Sequence, residues 1–187
     1  MKHIYWVRHC KAEGQPPEAP LTEEGKKQAE DLVDFFCDRE IERIVSSPFL
    51  RAQQSVAPLA KQLGLEIEID DRLAERNLGD LGVEWDVDYD EALARFVLTF
   101  DDRDLCYPGG ESSREATKRA IEVVGDLLVA DVSRTVVASH GNLTALALGF
   151  FDASYDNFDS WQKLSNPDVY DLGFAKYGTC VFRQWRP

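Results

Sequence analysis

Hydrophobic and polar positions along the chain predict short strands separated by amphipathic helices. Apolar runs at residues 3 to 7 and 41 to 45 predict two buried strands. Between them, apolar residues recur at helical spacing from residue 23 to 36, and Thr22 is placed to cap that helix. The strict alternation at residues 66 to 70 predicts a half-exposed strand near a sheet edge. This order of elements is typical of an α/β fold with a mostly parallel sheet.

A second helix follows the second strand, and the regular pattern then stops. Pro48 is expected at the first position of this helix and Gly64 at its C-cap. Residues 71 to 110 combine turn clusters with one helical segment at residues 89 to 100. We expect this stretch to be a small cap insertion over one end of the sheet.

The last third of the chain returns to regular elements. A long helix starting near Glu111 precedes an apolar run at residues 135 to 139, which suits a strand covered on both faces. Two further strands are predicted at residues 169 to 172 and 179 to 182, joined as a hairpin between Gly173 and Gly178. No linker or internal repeat is visible, so residues 1–187 are expected to form a single domain.

Composition changes this picture mainly through charge. Lys and Arg total 21 against 34 Asp and Glu, a formal net charge of −13. Broad binding to nucleic acid or to an anionic membrane is therefore not expected, although a small basic pocket remains compatible with the charge. No apolar run approaches the roughly 18 residues of a membrane span, and the first residues lack a signal-peptide core. We expect a cytoplasmic protein.

The four cysteines show no pairing pattern. They lie at positions 10, 37, 106 and 180, which matches neither a zinc ribbon nor a Cys-x-x-Cys redox motif. Cys37 and Cys180 are expected to be thiols of the core.

Candidate chemistry gathers where predicted strands end. Arg8 and His9 end the first strand, and His140 follows the strand at residues 135 to 139. Arg51 lies one helical turn beyond the second strand. Ligands of parallel α/β sheets bind at the carboxyl ends of strands, and the planar arginine fork matches phosphate oxygens. The cluster predicts a site for a dianionic phosphoryl group.

Two nucleophiles are available at this site. A Cys10 thiolate in a phosphate-binding loop of the tyrosine-phosphatase kind would require an arginine six positions later, where this chain has Pro16. We therefore favour His9, which would attack phosphorus and form a phosphohistidine. Glu75, in the irregular segment after the third strand, is the best-placed proton donor, with Glu84 as second candidate. The structural alternative for Glu75 is an ion pair with Arg72 or Arg76.

Six motifs in order resemble the histidine phosphatase superfamily, also called phosphoglycerate mutase-like. The family's Arg-His-Gly pattern corresponds to residues 8 to 10, and its acid motif Leu-x-Glu-Arg-x-x-Gly to residues 73 to 79. The other four motifs are Leu-Thr-x-x-Gly at 21 to 25, Ser-Ser-x-x-x-Arg-Ala at 46 to 52, Gly-Gly-Glu-Ser at 109 to 112, and Ser-His-Gly at 139 to 141.

The resemblance implies a fold and a mechanism. The expected fold is a three-layer αβα sandwich, with helices on both faces of the sheet. His9 would be the nucleophile and Glu75 the proton donor, while Arg8, Arg51 and His140 would surround the phosphoryl oxygens. The family implies neither a metal nor a cofactor.

This chain departs from the family pattern at two positions. Cys10 replaces the usual glycine, so its backbone must avoid a positive φ that a Cβ makes costly. Ala12 replaces a common Ser or Thr and removes one hydroxyl from the phosphate's surroundings. A thiol of low pKa at Cys10, beside Arg8, would make activity sensitive to oxidation.

Hydrolysis of a small phosphorylated metabolite is the favoured reaction. The mutases of the family are longer and carry a neighbouring arginine pair, whereas this chain has no Arg-Arg dipeptide. Its insertion exceeds that of the family's protein-phosphohistidine phosphatases, and Trp85, Tyr89 and Phe96 could line a pocket there or simply pack the helix. Mutase-type transfer, protein-phosphohistidine hydrolysis and an inactive binding role remain alternatives, and the oligomeric state is open.

Overall fold

A single mixed sheet of six strands organises the molecule. The structure is a computed structural model that describes residues 1–175 and 178–185. The strands are β1 (Lys2–Arg8), β2 (Arg43–Ser46), β3 (Ile67–Ile69), β4 (Arg134–Ser139), β5 (Asp168–Ala175) and β6 (Gly178–Arg183). The helices are α1 (Glu23–Phe36), α2 (Leu50–Leu63), α3 (Tyr89–Asp101), α4 (Ser113–Val129), α5 (Gly141–Phe151) and α6 (Phe158–Gln162).

The sheet is mostly parallel, as the sequence predicts. Its strand order is β3-β2-β4-β1-β5-β6, and the pairs among the first four strands are parallel. Strands β5 and β6 add an antiparallel edge. Their pairing confirms the predicted strand pair, while residues 176 and 177 of the hairpin lie outside the described residues. The alternating strand β3 lies at the opposite edge, as expected.

Helices cover both faces of the sheet because the central strands are apolar on both. In β1, Ile4 and Trp6 pack with α4 and α5, whereas Tyr5 and Val7 pack with α1 and α2. The adjacent strand β4 divides in the same way, with Val137 in the first cluster and Val136 in the second. The expected three-layer αβα sandwich is therefore confirmed.

Most helix ends lie where the sequence places them, with one correction. The Thr22 side chain caps α1 by accepting from the Gly25 amide, and Gly64 ends α2 with a φ of 67°. However, α2 begins at Leu50, so Pro48 is not its first residue. The reason is the extended backbone of Phe49, which has a ψ of 135° and precedes a Leu50 amide that donates to the Pro17 carbonyl.

The predicted insertion contains a 3-10 turn at Asp71–Leu73, helix α3 and connecting loops. Phe96 of α3 packs edge-on against Trp161 of α6, with ring centroids 4.8 Å apart. The eight carboxylates between residues 84 and 104 are exposed, so they form a solvated face. Trp85 and Tyr89 are also exposed, whereas Phe96 is buried. Phe96 therefore has the helix-packing role that the sequence left open.

The cysteine prediction is wrong for Cys37, which is exposed beyond the end of α1, and Cys180 is only half-buried. Strand β6 lies at the sheet edge, which leaves Cys180 partly open to solvent. Within residues 1–175 and 178–185, no helix is both long and apolar enough to cross a membrane.

Candidate active site

The carboxyl ends of β1, β2 and β4 bring the predicted site residues together. Arg8 is the last residue of β1 and lies opposite Ser139 of β4 in register. His9 and His140 follow directly, and their ring centroids are 5.1 Å apart. Ser47, which follows β2, donates its amide to Ala138 of β4. The parallel register therefore places residues far apart in the sequence side by side.

His9 is held as one tautomer. Its Nδ1 lies 2.7 Å from the Cys10 carbonyl oxygen, which can only accept, so Nδ1 carries the proton. Nε2 therefore presents a lone pair, which accepts from Arg51 Nε at 3.2 Å. Burial lowers the pKa of His9 to about 3, with further lowering by Arg51 and Arg8. His9 is thus a neutral imidazole with its basic nitrogen facing an arginine.

Arg51 is anchored from the loop that follows β1. Its Nη1 donates to the carbonyl oxygens of Gln15 and Pro16, each at 2.9 Å. The side chain is only 1% exposed, and burial lowers its pKa while Glu75 acts in the opposite direction. A fixed guanidinium beside the His9 lone pair is suited to hold a phosphoryl group against that nitrogen.

Arg8 lies against the start of α5. Its Nη1 donates to the Leu164 carbonyl at 2.7 Å, while the buried Nε has no hydrogen-bond partner among the described residues. A Cβ at Gly141 would lie 3.2 Å from Arg8 Cζ, Nε and Nη2, so any larger residue there would require the guanidinium to shift by a few tenths of an ångström. Burial lowers the pKa of Arg8, and Glu75 opposes that shift.

His140 is fully buried and is also neutral. Burial holds its pKa well below the usual value, and His9 and Arg51 lower it further. Its Nε2 lies 2.7 Å from the Ser47 hydroxyl, which already accepts from the Phe49 amide. A hydroxyl group has two lone pairs and one proton to donate, so this contact holds the ring in place and is compatible with either tautomer. Nδ1 has no partner within the described chain and is available to a phosphoryl oxygen.

Glu75 caps α5 from a distant loop. Its carboxylate accepts from the amides of Asn142 and Leu143, each at 3.0 Å, and from that of Arg76 at 2.9 Å. The N-cap residue His140 makes no side-chain capping bond, so Glu75 satisfies amides that the helix start leaves free. This contact brings the carboxylate to the end of the sheet that carries His140.

The structural alternative for Glu75 is not observed. Arg72 pairs with Asp70 and Asp126, and the Arg76 guanidinium donates to neutral oxygens. Neither arginine forms an ion pair with Glu75 within the part of the chain that the structure describes. The second donor candidate, Glu84, is exposed on the insertion.

The expectation of a reactive thiol at Cys10 is wrong. Its side chain is 0% exposed and packs in the core with α1 and α2. Burial raises the pKa of the thiol to about 12, so proximity to Arg8 does not produce a thiolate. Among the described non-glycine residues, only Glu40 has a positive φ, so cysteine fits the backbone at position 10.

Three polar residues of the site are given no role by the sequence argument. The Ser47 hydroxyl lies 2.7 Å from His140 Nε2, and the Asn166 side chain donates to the His9 carbonyl at 2.7 Å. Asn142 is 5% exposed, and neither its Nδ2 nor its Oδ1 has a partner in the described chain. Adjacency to a strand end or to His140 could have drawn attention to Ser47 and Asn142. Nothing in the sequence marks Asn166.

The arrangement offers an unprotonated imidazole nitrogen, one buried and one partly buried arginine, and a carboxylate within one cluster. Such a set can bind a dianion, attack it and exchange a proton. Among the residues that the structure describes, no group of three or more His, Cys, Asp or Glu side chains is arranged to hold a metal ion.

Comparison with known proteins gives relatives along nearly the whole chain. The family model described as "Histidine phosphatase superfamily (branch 1)" matches residues 4–186. A protein of Enterobacter sp. (strain 638) named "Probable phosphoglycerate mutase GpmB" is 31% identical over 161 residues, covering 80% of this chain and 72% of that protein. The protein of the same name from Salmonella choleraesuis (strain SC-B67) is 28% identical, with 86% and 78% covered.

Solved structures share the fold. A mycobacterial glucosyl-3-phosphoglycerate phosphatase superposes with a TM-score of 0.78 at 23% identity, covering 98% of this chain and 97% of that one. A mutant phosphoserine phosphatase of Entamoeba histolytica, in complex with phosphoserine, gives 0.75 at 18% identity, with 97% and 95% covered. At these identities the likeness concerns the architecture.

Proposed function

The chain belongs to the histidine phosphatase superfamily, and from that premise we propose that it is a phosphomonoesterase acting through a phosphohistidine on His9. The observation that carries the proposal is the fixed tautomer of His9. With Nδ1 donating to the Cys10 carbonyl, Nε2 is an unprotonated nucleophile beside buried Arg51. The two phosphatases with similar folds support hydrolysis.

In the first half-reaction, the phosphoryl oxygens bind to Arg8, Arg51 and the free Nδ1 of His140. Substrate binding frees the nucleophile, because Arg51 Nε exchanges its hydrogen bond to His9 Nε2 for one to a phosphoryl oxygen while Nη1 keeps its bonds to the Gln15 and Pro16 carbonyls. His9 Nε2 then forms a bond to phosphorus while the ester P–O bond breaks. Protonated Glu75 gives its proton to the departing alkoxide.

In the second half-reaction, water attacks phosphorus while the P–N bond breaks. Glu75, now a carboxylate, accepts the proton of the water, and inorganic phosphate leaves. Over the two half-reactions one water is consumed, and the proton on Glu75 is restored. The buried guanidiniums stabilise the charge on the transferring phosphoryl group in both halves.

We propose a small phosphorylated metabolite as substrate, without metal or cofactor and without nucleic acid or membrane partners. The net charge of −13 supports the exclusion of polyanionic partners. All four cysteines are free, which fits a cytoplasmic location.

Mutase activity is the second candidate, because the curated relatives at 31% and 28% identity are named phosphoglycerate mutases. Hydrolysis is favoured since the chain contains no Arg-Arg dipeptide. Incubation with a phosphoglycerate separates the two reactions: a hydrolase releases inorganic phosphate, whereas a mutase moves the phosphoryl group between hydroxyls.

The test of the proposed function compares wild type with His9→Ala on p-nitrophenyl phosphate in chelator-treated buffer. We expect turnover by wild type and none by the variant. An acid-labile phosphoryl label should be trapped on wild type after rapid quenching. Equal rates for the two proteins would refute the phosphohistidine, and inactivity of both toward all phosphoesters would favour a binding role.

Glu75→Gln separates proton donation from binding. We expect kcat to fall about 100-fold, within the range for loss of a general acid, while inhibition by inorganic phosphate changes little. Weakened phosphate binding with an unchanged kcat would show that Glu75 is not the donor.

A further inference from the structure

The segment that carries Glu75 depends on other elements for its position. After the 3-10 turn at Asp71–Leu73, residues 74 to 80 form neither helix nor strand. The Glu75 carboxylate nevertheless has to meet the amides of Asn142 and Leu143 at the start of α5. Something outside the segment must therefore fix its backbone.

Arg119 of α4 binds the backbone on the N-terminal side of Glu75. Its Nη1 donates to the carbonyl of Ala74 at 2.9 Å and also to the carbonyl of Arg72. One guanidinium nitrogen thus binds two of the three peptide carbonyls that precede Glu75, and the third, that of Leu73, accepts from the Ser139 hydroxyl.

The same guanidinium acts on the C-terminal side through Glu111. Arg119 Nε and Nη2 donate to the two Glu111 carboxylate oxygens at 2.9 and 2.6 Å. Glu111 accepts from the Asn77 amide at 3.2 Å and donates its own amide to the Asn77 carbonyl at 2.9 Å. Glu75 is therefore flanked on both sides by backbone that is tied, directly or through Glu111, to one arginine.

We propose that Arg119 is a positioning residue for the proton donor Glu75. The inference rests on the proposed function, because it concerns the donor of that reaction. The Arg119 and Glu111 side chains are only 18% and 22% exposed, unlike a solvated surface pair. Only a planar fork can bind a carboxylate through two nitrogens and two carbonyls through a third, so lysine cannot reproduce the contact.

Arg114 provides a matched control on the same helix. It binds Asp104 through Nη2 at 2.9 Å, and both side chains are about two-thirds exposed, at 66% and 68%. Arg114→Gln removes an equal charge from α4 without touching the backbone around Glu75.

The kinetic test uses leaving groups that differ in their need for a proton. Phenyl phosphate releases a more basic phenolate than p-nitrophenyl phosphate and depends more on the donor. We expect Arg119→Gln to lower kcat about 10- to 100-fold on phenyl phosphate, by a smaller factor on p-nitrophenyl phosphate, and to leave inhibition by inorganic phosphate within about threefold. The kcat of Arg119→Lys on phenyl phosphate should fall in the same way, whereas the kcat of Arg114→Gln should equal that of wild type.

A double variant tests whether Arg119 acts through Glu75. In a Glu75→Gln background, Arg119→Gln should cost little further activity, because the donor is already lost. Full additivity, an equal loss on both esters or no loss would overturn the proposal. If Arg119→Gln does not fold, Glu111→Gln takes its place in the same series.

A measurement without turnover keeps the inference separate from the proposed function. Hydrogen exchange of the Asn142 and Leu143 amides should be faster in Arg119→Gln than in Arg114→Gln or wild type, because these amides donate to Glu75. Unchanged exchange would overturn the positioning role even in an active enzyme. If wild type shows no hydrolysis that depends on His9, the proposed function is overturned instead.

Discussion

At the scale of residues, the site depends on two imidazoles that are neutral for the same reason. His140 is fully buried and His9 is partly buried, both next to arginines, and burial is the largest cause of their lowered pKa values. The two rings have different hydrogen-bond partners, which are the Cys10 carbonyl for His9 and the Ser47 hydroxyl for His140. The Cys10 carbonyl leaves Nε2 of His9 unprotonated, and the Ser47 hydroxyl holds the His140 ring in place.

The lowered pKa of His9 predicts a loss of stability in mild acid. The unfolded chain binds a proton at His9 below about pH 6.5, whereas the folded protein resists protonation until about pH 3. Stability linked to His9 is therefore complete above pH 6.5 and is lost as the pH falls toward 3. At pH 5 the loss is about 2 kcal/mol.

Urea unfolding at pH 7.5 and pH 5.0 measures the loss of stability that is linked to protonation of His9. His9→Asn should lose less stability between the two pH values than wild type, by about that amount. His3→Asn serves as control at the other end of β1, where His3 is paired with Asp171. If the free energy of unfolding depends on pH equally in wild type and His9→Asn, the lowered pKa of His9 is contradicted.

At the scale of elements, helix α5 contributes its N-terminus to the site in two ways. Its first amides hold the Glu75 carboxylate, and its first residue, Gly141, lets the backbone lie against the Arg8 guanidinium. A Cβ at position 141 would lie 3.2 Å from three atoms of the Arg8 guanidinium, which would have to shift slightly. Glycine therefore favours this close contact and is not needed for an unusual backbone conformation.

Gly141→Ala should weaken phosphate binding about tenfold, because the added Cβ displaces the Arg8 guanidinium, and this loss corresponds to 1.4 kcal/mol. Inhibition by inorganic phosphate measures the effect. The control is Gly125→Ala in α4, where a Cβ meets nothing within 4 Å. That change should leave phosphate affinity unaltered and raise stability slightly. Similar phosphate inhibition for both variants would argue against the Arg8 contact.

At the scale of the whole molecule, an acidic protein surrounds a small basic site. The net charge of −13 is carried largely by exposed side chains such as those of the insertion, while Arg8 and Arg51 are withdrawn among buried groups. The antiparallel strands β5 and β6 complete the sheet beside β1. Asp168, fully buried at the start of β5, binds Arg183 of β6 and lies opposite Arg8 in register.

This ion pair predicts an unequal sensitivity of the two sheet edges. Arg183→Gln removes the cation that binds buried Asp168 and should lower the free energy of unfolding by about 2 kcal/mol. This loss is smaller than for a fully buried pair, because the Arg183 side chain is 38% exposed and solvent screens the interaction. Arg43→Gln breaks the more exposed pair with Glu68 at the β3 edge and should cost under about 1 kcal/mol. Urea midpoints decide between this ranking and equal costs at both edges.

Sequence patterns were most informative where local chemistry decides structure. The Thr22 cap, the Gly64 C-cap and the both-sided apolar strands follow from backbone and burial rules that act over a few residues. The sequence pattern misplaces the start of α2, because it does not reveal the extended backbone of Phe49. Residue type alone favours a core position for Cys37, because it does not reveal which face of a helix end meets solvent.

The sequence by itself determined the α/β order of elements and the residues at the strand ends, because periodicity and turn chemistry are local properties. Only the tertiary structure decided the tautomer of His9, the contact of His140 with Ser47, the burial that suppresses Cys10, and the capping of α5 by Glu75. These depend on partners brought together by the parallel register and by packing across the sheet. Arg119 shows the same limit, since its partners lie 8 to 47 positions away along the chain and meet it only in the folded protein.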